Sequence, residues 1–268
     1  MTELVELLAR IERTYDGLPR RPGVRVEASG PFEIFVREGE GWPFYARPRL
    51  GSTTFTTDDV ELVLARQREL AVAQAIEWVI EVSPGLLEAL PPRMSVVRAP
   101  LMVLDPARLA DTMDSRLRFL HPDDPDAAQM YALSAAVAHI GFGHPGTAAG
   151  TAGPAERDAA VVATAPPTVA AVEAGIRVEA VLVDPVEGVV ARGGYQAALG
   201  AAEIAGVATL PSARRQGLAA AVTAILARHA LEHGNDLVFL SAADEDVARG
   251  YARVGFGRVG TAGIAEVP

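Results

Sequence analysis

Three consecutive strand-like runs followed by a long helix are the feature that most constrains the fold of this chain. The runs RVEAVLVD, GVVARGGYQAAL and AEIAGVATL are separated by turns at Gly188 and Gly200. The next segment, GLAAAVTAILARHALEHG, ends at Gly234 and has apolar residues at helical spacing, namely Leu218, Val222, Ile225 and Leu226. A strand LVFLS, a short helix DEDVARGYARV and a strand region FGRVGTAGIAE follow. This order predicts an α/β fold for the second half of the chain.

The first half predicts a similar order of elements. It begins with a helix whose stripe is Leu4, Val5, Leu8 and Ile11. A hairpin is expected around Gly39 and Gly41, and a helix capped by Thr56 or Thr57 comes next. The stretches AIEWVIEV, SPGLLEAL and MSVVRAPLMVL then predict a strand, a short helix and a closing strand pair. The polar segment Asp105–Ser115 is the best candidate for a linker between two domains.

Composition excludes several kinds of chemistry. The chain of 268 residues contains no cysteine, which excludes disulfides, thiolate metal sites and a cysteine acyl-enzyme. A net charge of −10 argues against a non-specific nucleic-acid binder. No apolar run is long enough to span a bilayer, and the acidic start MTELVELLARIERTYD lacks the features of a secretory signal. We expect a cytoplasmic protein without a membrane or nucleic-acid partner, compatible with a homodimer.

Other motifs in the second half are weaker. The letters of GFGHPG match a dinucleotide-binding pattern, but this stretch follows a helix predicted from Asp124 or Asp126 to about Ile140. The segment HPGTAAGTAGPAERD that continues from it is typical of a mobile loop, and a helix is expected through PTVAAVEAG. His229 and His233 lie one helical turn apart without further metal ligands, so we expect no metal.

The stretch TLPSARRQGLAAAV, between the third strand and the long helix, is the best candidate for a binding site. A helix N-terminus exposes unpaired N–H groups, and a glycine lets a phosphate approach the backbone. Arg214 and Arg215 add positive charge. On residue types alone, a solvated helix start with two surface arginines explains the stretch equally well.

Two motifs in order resemble the GNAT superfamily of N-acetyltransferases. The stretch AEIAGVATLPSARRQGLAAAV resembles the central motif R/Q-x-x-G-x-G/A, filled by Arg214, Gly217 and Ala219. Downstream, VARGYARVGF resembles Y-x-x-x-G-F and includes Tyr251. The resemblance implies a mixed, mostly antiparallel sheet flanked by helices in residues 116–268. The first half lacks the central motif, but its element order suggests a degenerate GNAT-like domain over residues 1–112.

The resemblance also implies acetyl-CoA as co-substrate. An acetyl or other short acyl group would pass directly, in a ternary complex, to an amine of a small molecule or peptide. The donor's pantetheine arm would pair with the strand edge at Val207, Ala208 and Thr209. Its pyrophosphate would bind the backbone at Arg214, Arg215, Gln216, Gly217, Leu218, Ala219 and Ala220.

Two residues are candidates for proton transfer. Glu203 occupies the place where one branch of the family keeps its general base, although a strand-end glutamate that faces solvent or an arginine is an equal alternative. Tyr251 resembles the tyrosine that protonates the leaving thiolate, and the alternative is an aromatic side chain packed in the core. Many relatives carry an asparagine before this tyrosine, where Asp244 or Asp246 stands here.

The acceptor side is less constrained by the sequence. Tyr195, Phe142 and the loop from His144 to Glu156 are candidates for the wall of the amine pocket. A catalytically inactive acyl-CoA-binding or interaction module is the alternative function. Nucleotide binding through GFGHPG is a third, and it would require NAD rather than acetyl-CoA to stabilise the protein.

Overall fold

The computed structural model describes residues 2–38, 44–111 and 114–268, and its chain forms two units. The first unit comprises residues 1–101 and 259–268, and the second comprises residues 102–258. In the first unit the elements are α1 (Thr2–Gly17), β1 (Val24–Ser29), β2 (Phe32–Arg37), β3 (Arg47–Pro48), α2 (Thr57–Glu69), β4 (Ala75–Val79), α3 (Leu86–Ala89) and the first part of β5 (Ser95–Leu104).

The first unit agrees with most of the sequence predictions. The helix at the start is confirmed, but only Leu8 and Ile11 of its predicted stripe are buried, while Leu4 and Val5 are exposed. Thr56 is confirmed as the cap of α2. The prediction of a strand pair in MSVVRAPLMVL is wrong, because β5 is one continuous strand. The hairpin predicted around Gly39 and Gly41 lies outside the described residues.

In the first unit, the strand pairs β1–β2 and β2–β3 are antiparallel, as is the pair of β4 with the last strand, β11 (Phe256–Glu266). Ala46 forms a parallel bridge with Ile76 of β4. β1, β2 and β3 form a small sheet of their own. β4 pairs with residues 262–266 of β11. The core of this unit collects Phe32, Ile34, Val63, Leu64 and Trp78, which are almost inaccessible to water.

The second unit carries the elements that the GNAT resemblance implies. They are β6 (Leu117–Phe119), α4 (Ala127–Gly143), α5 (Pro154–Ala159), α6 (Val169–Glu173), β7 (Arg177–Asp184), β8 (Gly188–Ala198), β9 (Ala201–Thr209), α7 (Leu218–Glu232), β10 (Leu237–Ser241), α8 (Glu245–Ala252) and the start of β11. Neighbouring strands lie in the order β10-β9-β8-β7-β6. Only the β10–β9 pair among these is parallel. The expected mixed, mostly antiparallel sheet flanked by helices is confirmed.

Two segments of the second unit differ from their predictions. The last residues of the predicted mobile loop, 154–158, form a helix together with Ala159, which is α5. The predicted linker begins with a short 3₁₀ turn, Pro106–Arg108. The N–H groups of Asp105 and Ala110 donate to the carbonyls of Gly255 and Val254, so this part of the segment is attached to the chain that leads into β11. The attachment near β11 has no local signal, because its partners are far apart in the chain, whereas α5 has a local one in Pro154 and Glu156.

Helices α4 and α7 both pack on strands β8 and β9. Glycines allow this close packing. A Cβ atom at Gly193 would lie 2.8 Å from Val222 Cγ1 of α7, and one at Gly141 of α4 would lie 2.9 Å from Ala208 Cβ of β9. In the described parts of the chain, no helix has the length and apolar character that crossing a membrane requires.

Candidate active site

Strands β9 and β10 separate part-way along their length. Their parallel register covers Leu237 to Phe239 of β10 and Ala201 to Glu203 of β9. Within the described chain the pairing stops there, although β9 continues to Thr209 and β10 to Ser241. The backbone of β9 beyond Glu203 therefore has an open edge on the side of β10, where an extended ligand can pair with it.

In the described part of the chain, the first backbone N–H groups at the start of α7 have no protein acceptor. Gly217 is the N-cap residue in the left-handed conformation, with φ +78°, and no side chain caps the helix. Arg215 also has a positive φ, +67°. Ala221 donates to the Gly217 carbonyl at 3.0 Å. Among the described residues, no acceptor is found for the N–H groups of residues 215–220. Such a cluster of donors at a helix N-terminus favours binding of an anion.

The side chains around this helix start leave it accessible. Arg215, Gln216, Gly217 and Ala219 are exposed, Ala220 is partly buried, and Leu218 is buried in the core. Nothing lies within 4 Å of the position that a Cβ atom would take at Gly217. An approaching phosphate therefore meets backbone amides directly.

The guanidinium of Arg214 points to carbonyl groups of its own unit. Nη2 donates to the carbonyls of Gly141 at 2.9 Å and His144 at 2.6 Å, and Nη1 donates to Ala148 at 3.2 Å. Burial lowers the pKa of this guanidinium below its ordinary value. Arg214 thus attaches the segment after α4 to the end of β9. Its positive charge is stabilised by these protein carbonyl groups.

The predicted pantetheine edge lies directly before this helix start. Val207 is partly buried, whereas Ala208 and Thr209 are buried. The Thr209 hydroxyl is buried without a hydrogen-bond partner in the described structure. The backbone carbonyl of Thr209 accepts a long hydrogen bond of 3.4 Å from Arg214 Nε. This bond links the strand edge to the loop that leads into α7.

Glu203 and Tyr251 lie on two different elements of the same unit. Glu203 is partly buried and occupies the last register position before β9 and β10 separate, between Gln196 of β8 and Phe239 of β10. Tyr251 is partly buried on α8, with its ring edge toward Phe256 at 6.2 Å. Burial raises the pKa of Tyr251 to about 12, so its phenol is protonated at neutral pH.

Residues 138–256 match the acetyltransferase (GNAT) family. This GNAT region covers less than half of the chain but includes the open edge of β9, the start of α7, Glu203 and Tyr251. A GCN5-related N-acetyltransferase from Kribbella flavida is 25% identical, with a TM-score of 0.68 over 98% of this chain and 96% of its own. No curated protein matches the chain.

Two more distant structures share the fold. A GCN5-related N-acetyltransferase-like protein from Streptococcus suis is 12% identical, with a TM-score of 0.55 over the whole of both chains. A tandem GNAT protein from the clavulanic acid biosynthesis pathway is 12% identical, with a TM-score of 0.50 over 92% of this chain and 84% of its own. Family match and shared fold together support acyl transfer as the general chemistry of the GNAT region.

The residues predicted from the sequence to form the wall of the amine pocket need correction. Tyr195 is almost completely buried, and its hydroxyl is 2.8 Å from His229 Nδ1, so it cannot face a substrate pocket. Phe142 is exposed. The segment after His144 is attached to the turn between β9 and α7, because the Gly150 N–H donates to the Pro211 carbonyl and the Ser212 N–H to the Ala152 carbonyl, each at 3.0 Å.

Two further groups have structural roles. Asp244, at the place of the family asparagine, caps α8 by accepting the Val247 N–H at 2.8 Å, and Asp246 pairs with Arg249. The rings of His229 and His233 stack at 3.9 Å. In the described residues, no group of histidine, aspartate or glutamate side chains has the arrangement of a metal site.

A mostly buried polar cluster that the sequence patterns did not predict lies beside β9. It consists of Ser134 of α4, Glu179 of β7 and Arg192 of β8, which contact one another and Gly206. The available signal was the pair of charged residues inside the otherwise mostly apolar strands RVEAVLVD and GVVARGGYQAAL.

Proposed function

We propose that the protein is an N-acetyltransferase that moves an acetyl or other short acyl group from acetyl-CoA to an amine of a small molecule or peptide. One observation carries this proposal: the amides of residues 215–220, for which the described residues provide no acceptor, come one short turn after a β9 edge that is open beyond Glu203. The first feature fits a pyrophosphate and the second fits the extended amide-containing arm of the same molecule. A ligand with both parts is acetyl-CoA.

The backbone, rather than the side chains, would hold the donor. The amides from Arg215 to Ala220 and the dipole of α7 would bind the pyrophosphate. Arg214 would act indirectly, since its guanidinium is bound to the carbonyls of Gly141, His144 and Ala148. The edge at Val207, Ala208 and Thr209 would pair with the pantetheine amides. Acetyl-CoA would supply the acyl group as an activated thioester.

Glu203 and Tyr251 would handle the two protons of the reaction. An amine must lose a proton before or during attack, and the Glu203 carboxylate at the point where the strands separate would accept it, directly or through water. The departing thiolate must gain a proton, and the Tyr251 hydroxyl would donate it. The pKa of about 12 keeps this phenol protonated at any pH where an amine acceptor reacts. Direct transfer suits a chain without cysteine.

We propose further that the first unit is a degenerate GNAT-like domain without a donor site. Its order of three strands, helix, strand, short helix and strand, from β1 to β5, repeats the order from β7 to β11. The likeness in fold to a tandem GNAT protein supports this proposal. A homodimer and a cytoplasmic location stay predictions.

The function is tested by measuring CoA release with acetyl-CoA and a panel of amino acids, polyamines, aminoglycosides and peptides. We expect acetyl-CoA to raise the thermal unfolding midpoint and at least one amine to be acetylated. Stabilisation by acetyl-CoA without turnover on any amine would favour the inactive binding module. Stabilisation by NAD alone would contradict the proposal.

A further inference from the structure

A bulge interrupts β9 in the middle of the predicted donor edge. Arg192 of β8 pairs with Ala208, and Gly194 pairs with Ala205, so Gly193 alone faces both Gly206 and Val207. Gly206 has φ +65°, a conformation that glycine adopts without strain. The peptide between Gly206 and Val207 belongs to the part of β9 for which the described structure records no pairing with β10.

The Arg192 guanidinium fixes this bulge from one side. Its Nη1 donates to the Gly206 carbonyl at 2.8 Å, and the same nitrogen would lie 2.3 Å from a Cβ atom at position 206. Glycine is therefore required at this position by its φ angle and by the space that Arg192 occupies. Without such a contact, a glycine peptide at an open strand edge would be free to change its orientation.

Two other residues hold the guanidinium itself in place. Glu179 Oε2 accepts from Arg192 Nη2 at 2.6 Å, and the Ser134 hydroxyl accepts from Nε at 3.0 Å. Ser134 in turn donates to Glu179 Oε2 at 3.2 Å. The side chains of Arg192 and Glu179 are only 13% and 12% exposed. All three nitrogens of the planar fork are used, which fixes its orientation.

Stability alone does not account for this cluster. Burying an ion pair costs about as much desolvation free energy as the pair regains, and apolar residues of similar size commonly serve a core equally well. The cluster does one thing that apolar residues could not do, which is to bind the Gly206 carbonyl in one direction.

We infer that Arg192, held by Glu179 and Ser134, is a positioning residue that aims the Val207 N–H at the acyl carbonyl of the donor. A peptide group is planar and trans, so fixing the Gly206 carbonyl also fixes the Val207 N–H, which points the opposite way. An N–H donor aimed at that oxygen stabilises the negative charge that develops there during transfer. This inference rests on the proposed function, because it requires an acyl-CoA donor along β9.

The test compares the wild type with the double variant Arg192→Met, Glu179→Gln, in which neither partner is left as an unpaired buried charge. Arg157→Met is the matched control, since Arg157 is also buried and its Nη1 donates to the carbonyls of Glu187 and Val189, away from the bulge. Isotope-edited infrared difference spectra of acetyl-CoA labelled with ¹³C at the acetyl carbonyl report polarisation of the bound thioester without requiring turnover. Calorimetry gives the acetyl-CoA affinity of each protein.

In the wild type and in Arg157→Met, we expect the bound carbonyl band to lie below that of free acetyl-CoA. In the double variant it should return at least halfway to the free position, while the Kd changes by less than about threefold. With any amine that is acetylated, kcat should fall about 100-fold. An unchanged band in a folded double variant that binds acetyl-CoA would overturn the inference and leave the proposed function standing. A wild type that binds no acetyl-CoA would overturn the proposed function itself.

Discussion

Helices α2 and α7 hold the same place in the two units, after three strands, but they begin in opposite ways. Thr56 and Asp59 form a capping box at the start of α2, and Asp58 and Asp59 put negative charge in its first turn. α7 begins at Gly217 without a side-chain cap or an acidic residue in its first turn. Helix ends need partners for their free N–H groups. α2 supplies such partners from its own side chains, whereas no side chain caps α7, as the proposed anion site requires.

Replacing Gly217 with aspartate would give α7 the kind of start that α2 has, and it is the change with the largest expected effect. The new carboxylate would lie beside the first N–H groups of α7, where we propose that the pyrophosphate binds. Repulsion between two negative charges at about 4 Å, partly screened, is expected to raise the Kd for acetyl-CoA at least about 100-fold. Isothermal titration calorimetry measures this change.

Gly217→Asn is the matched control, because asparagine has nearly the same shape, tolerates a positive φ and carries no charge. Its affinity should lie between those of the wild type and Gly217→Asp. Equal losses for both variants would mean that space or backbone conformation, rather than charge, matters at this position. Wild-type affinity in both would remove the binding role of the helix start.

Tyr251→Phe tests the proposed general acid on α8 of the second unit. The counterpart of α8 in the first unit is α3, a single turn of sequence LLEA without a tyrosine. Loss of a general acid should lower kcat about 100-fold and leave the acetyl-CoA affinity nearly unchanged. An unaltered kcat would assign Tyr251 to core packing.

The pH dependence of the wild type gives an independent check on Tyr251. A tyrosine in water loses its proton near pH 10, but burial raises the pKa of Tyr251 to about 12. If Tyr251 is the general acid, the protonated phenol is the active form, and raising its pKa extends activity toward higher pH. The rate should therefore show no decline around pH 10 from this group, and a fall with a midpoint there would contradict the buried-acid assignment.

The sequence predicted what local patterns encode. The strands β7 to β9, the helix α7 and the glycine turns follow from alternation, helical spacing and the conformational freedom of glycine, all of which involve neighbouring residues. The capping of α2 by Thr56 was predictable for the same reason. These features fixed the location of the candidate site.

Contacts between distant residues were not predictable in this way. Arg214 was expected near phosphate, but its guanidinium binds carbonyls up to 73 positions away in the chain. Tyr195 was expected at a pocket wall, and it is buried against His229. The hydrogen bond from Arg192 to the Gly206 carbonyl depends on a β-bulge, and the residue pattern of one strand does not reveal such a bulge. In each case the side chain's partner comes from another element, and its position depends on the fold.

Arg214→Gln separates the role of this side chain from that of the bare amides. The variant keeps the backbone of the helix start and removes the charge-assisted bonds to the segment after α4, so that this segment is held less firmly against the end of β9. We expect the acetyl-CoA affinity to fall about tenfold. Arg215→Gln is the control, because it removes the charge of the neighbouring arginine, which is exposed. Arg215 differs from Arg214 in having a positive φ. A larger loss for Arg215→Gln would mean that direct charge contributes more than the attachment of the loop.

Thr56→Ala tests the other side of the comparison and has the smallest expected effect. It removes the hydroxyl that accepts the Asp59 N–H, which should lower the free energy of unfolding by about 1 kcal/mol. Urea titration followed by tryptophan fluorescence measures this loss. Both tryptophans of the chain, at positions 42 and 78, belong to the first 101 residues, so their fluorescence reports on the first unit. Thr54→Ala, an exposed threonine two residues earlier, is the control and should change little. Acetyl-CoA affinity should not change in either variant, because α2 is completed by its own side chains. Weaker binding in a folded Thr56→Ala variant would show that both helix starts serve the ligand, and the contrast between the two units would no longer hold.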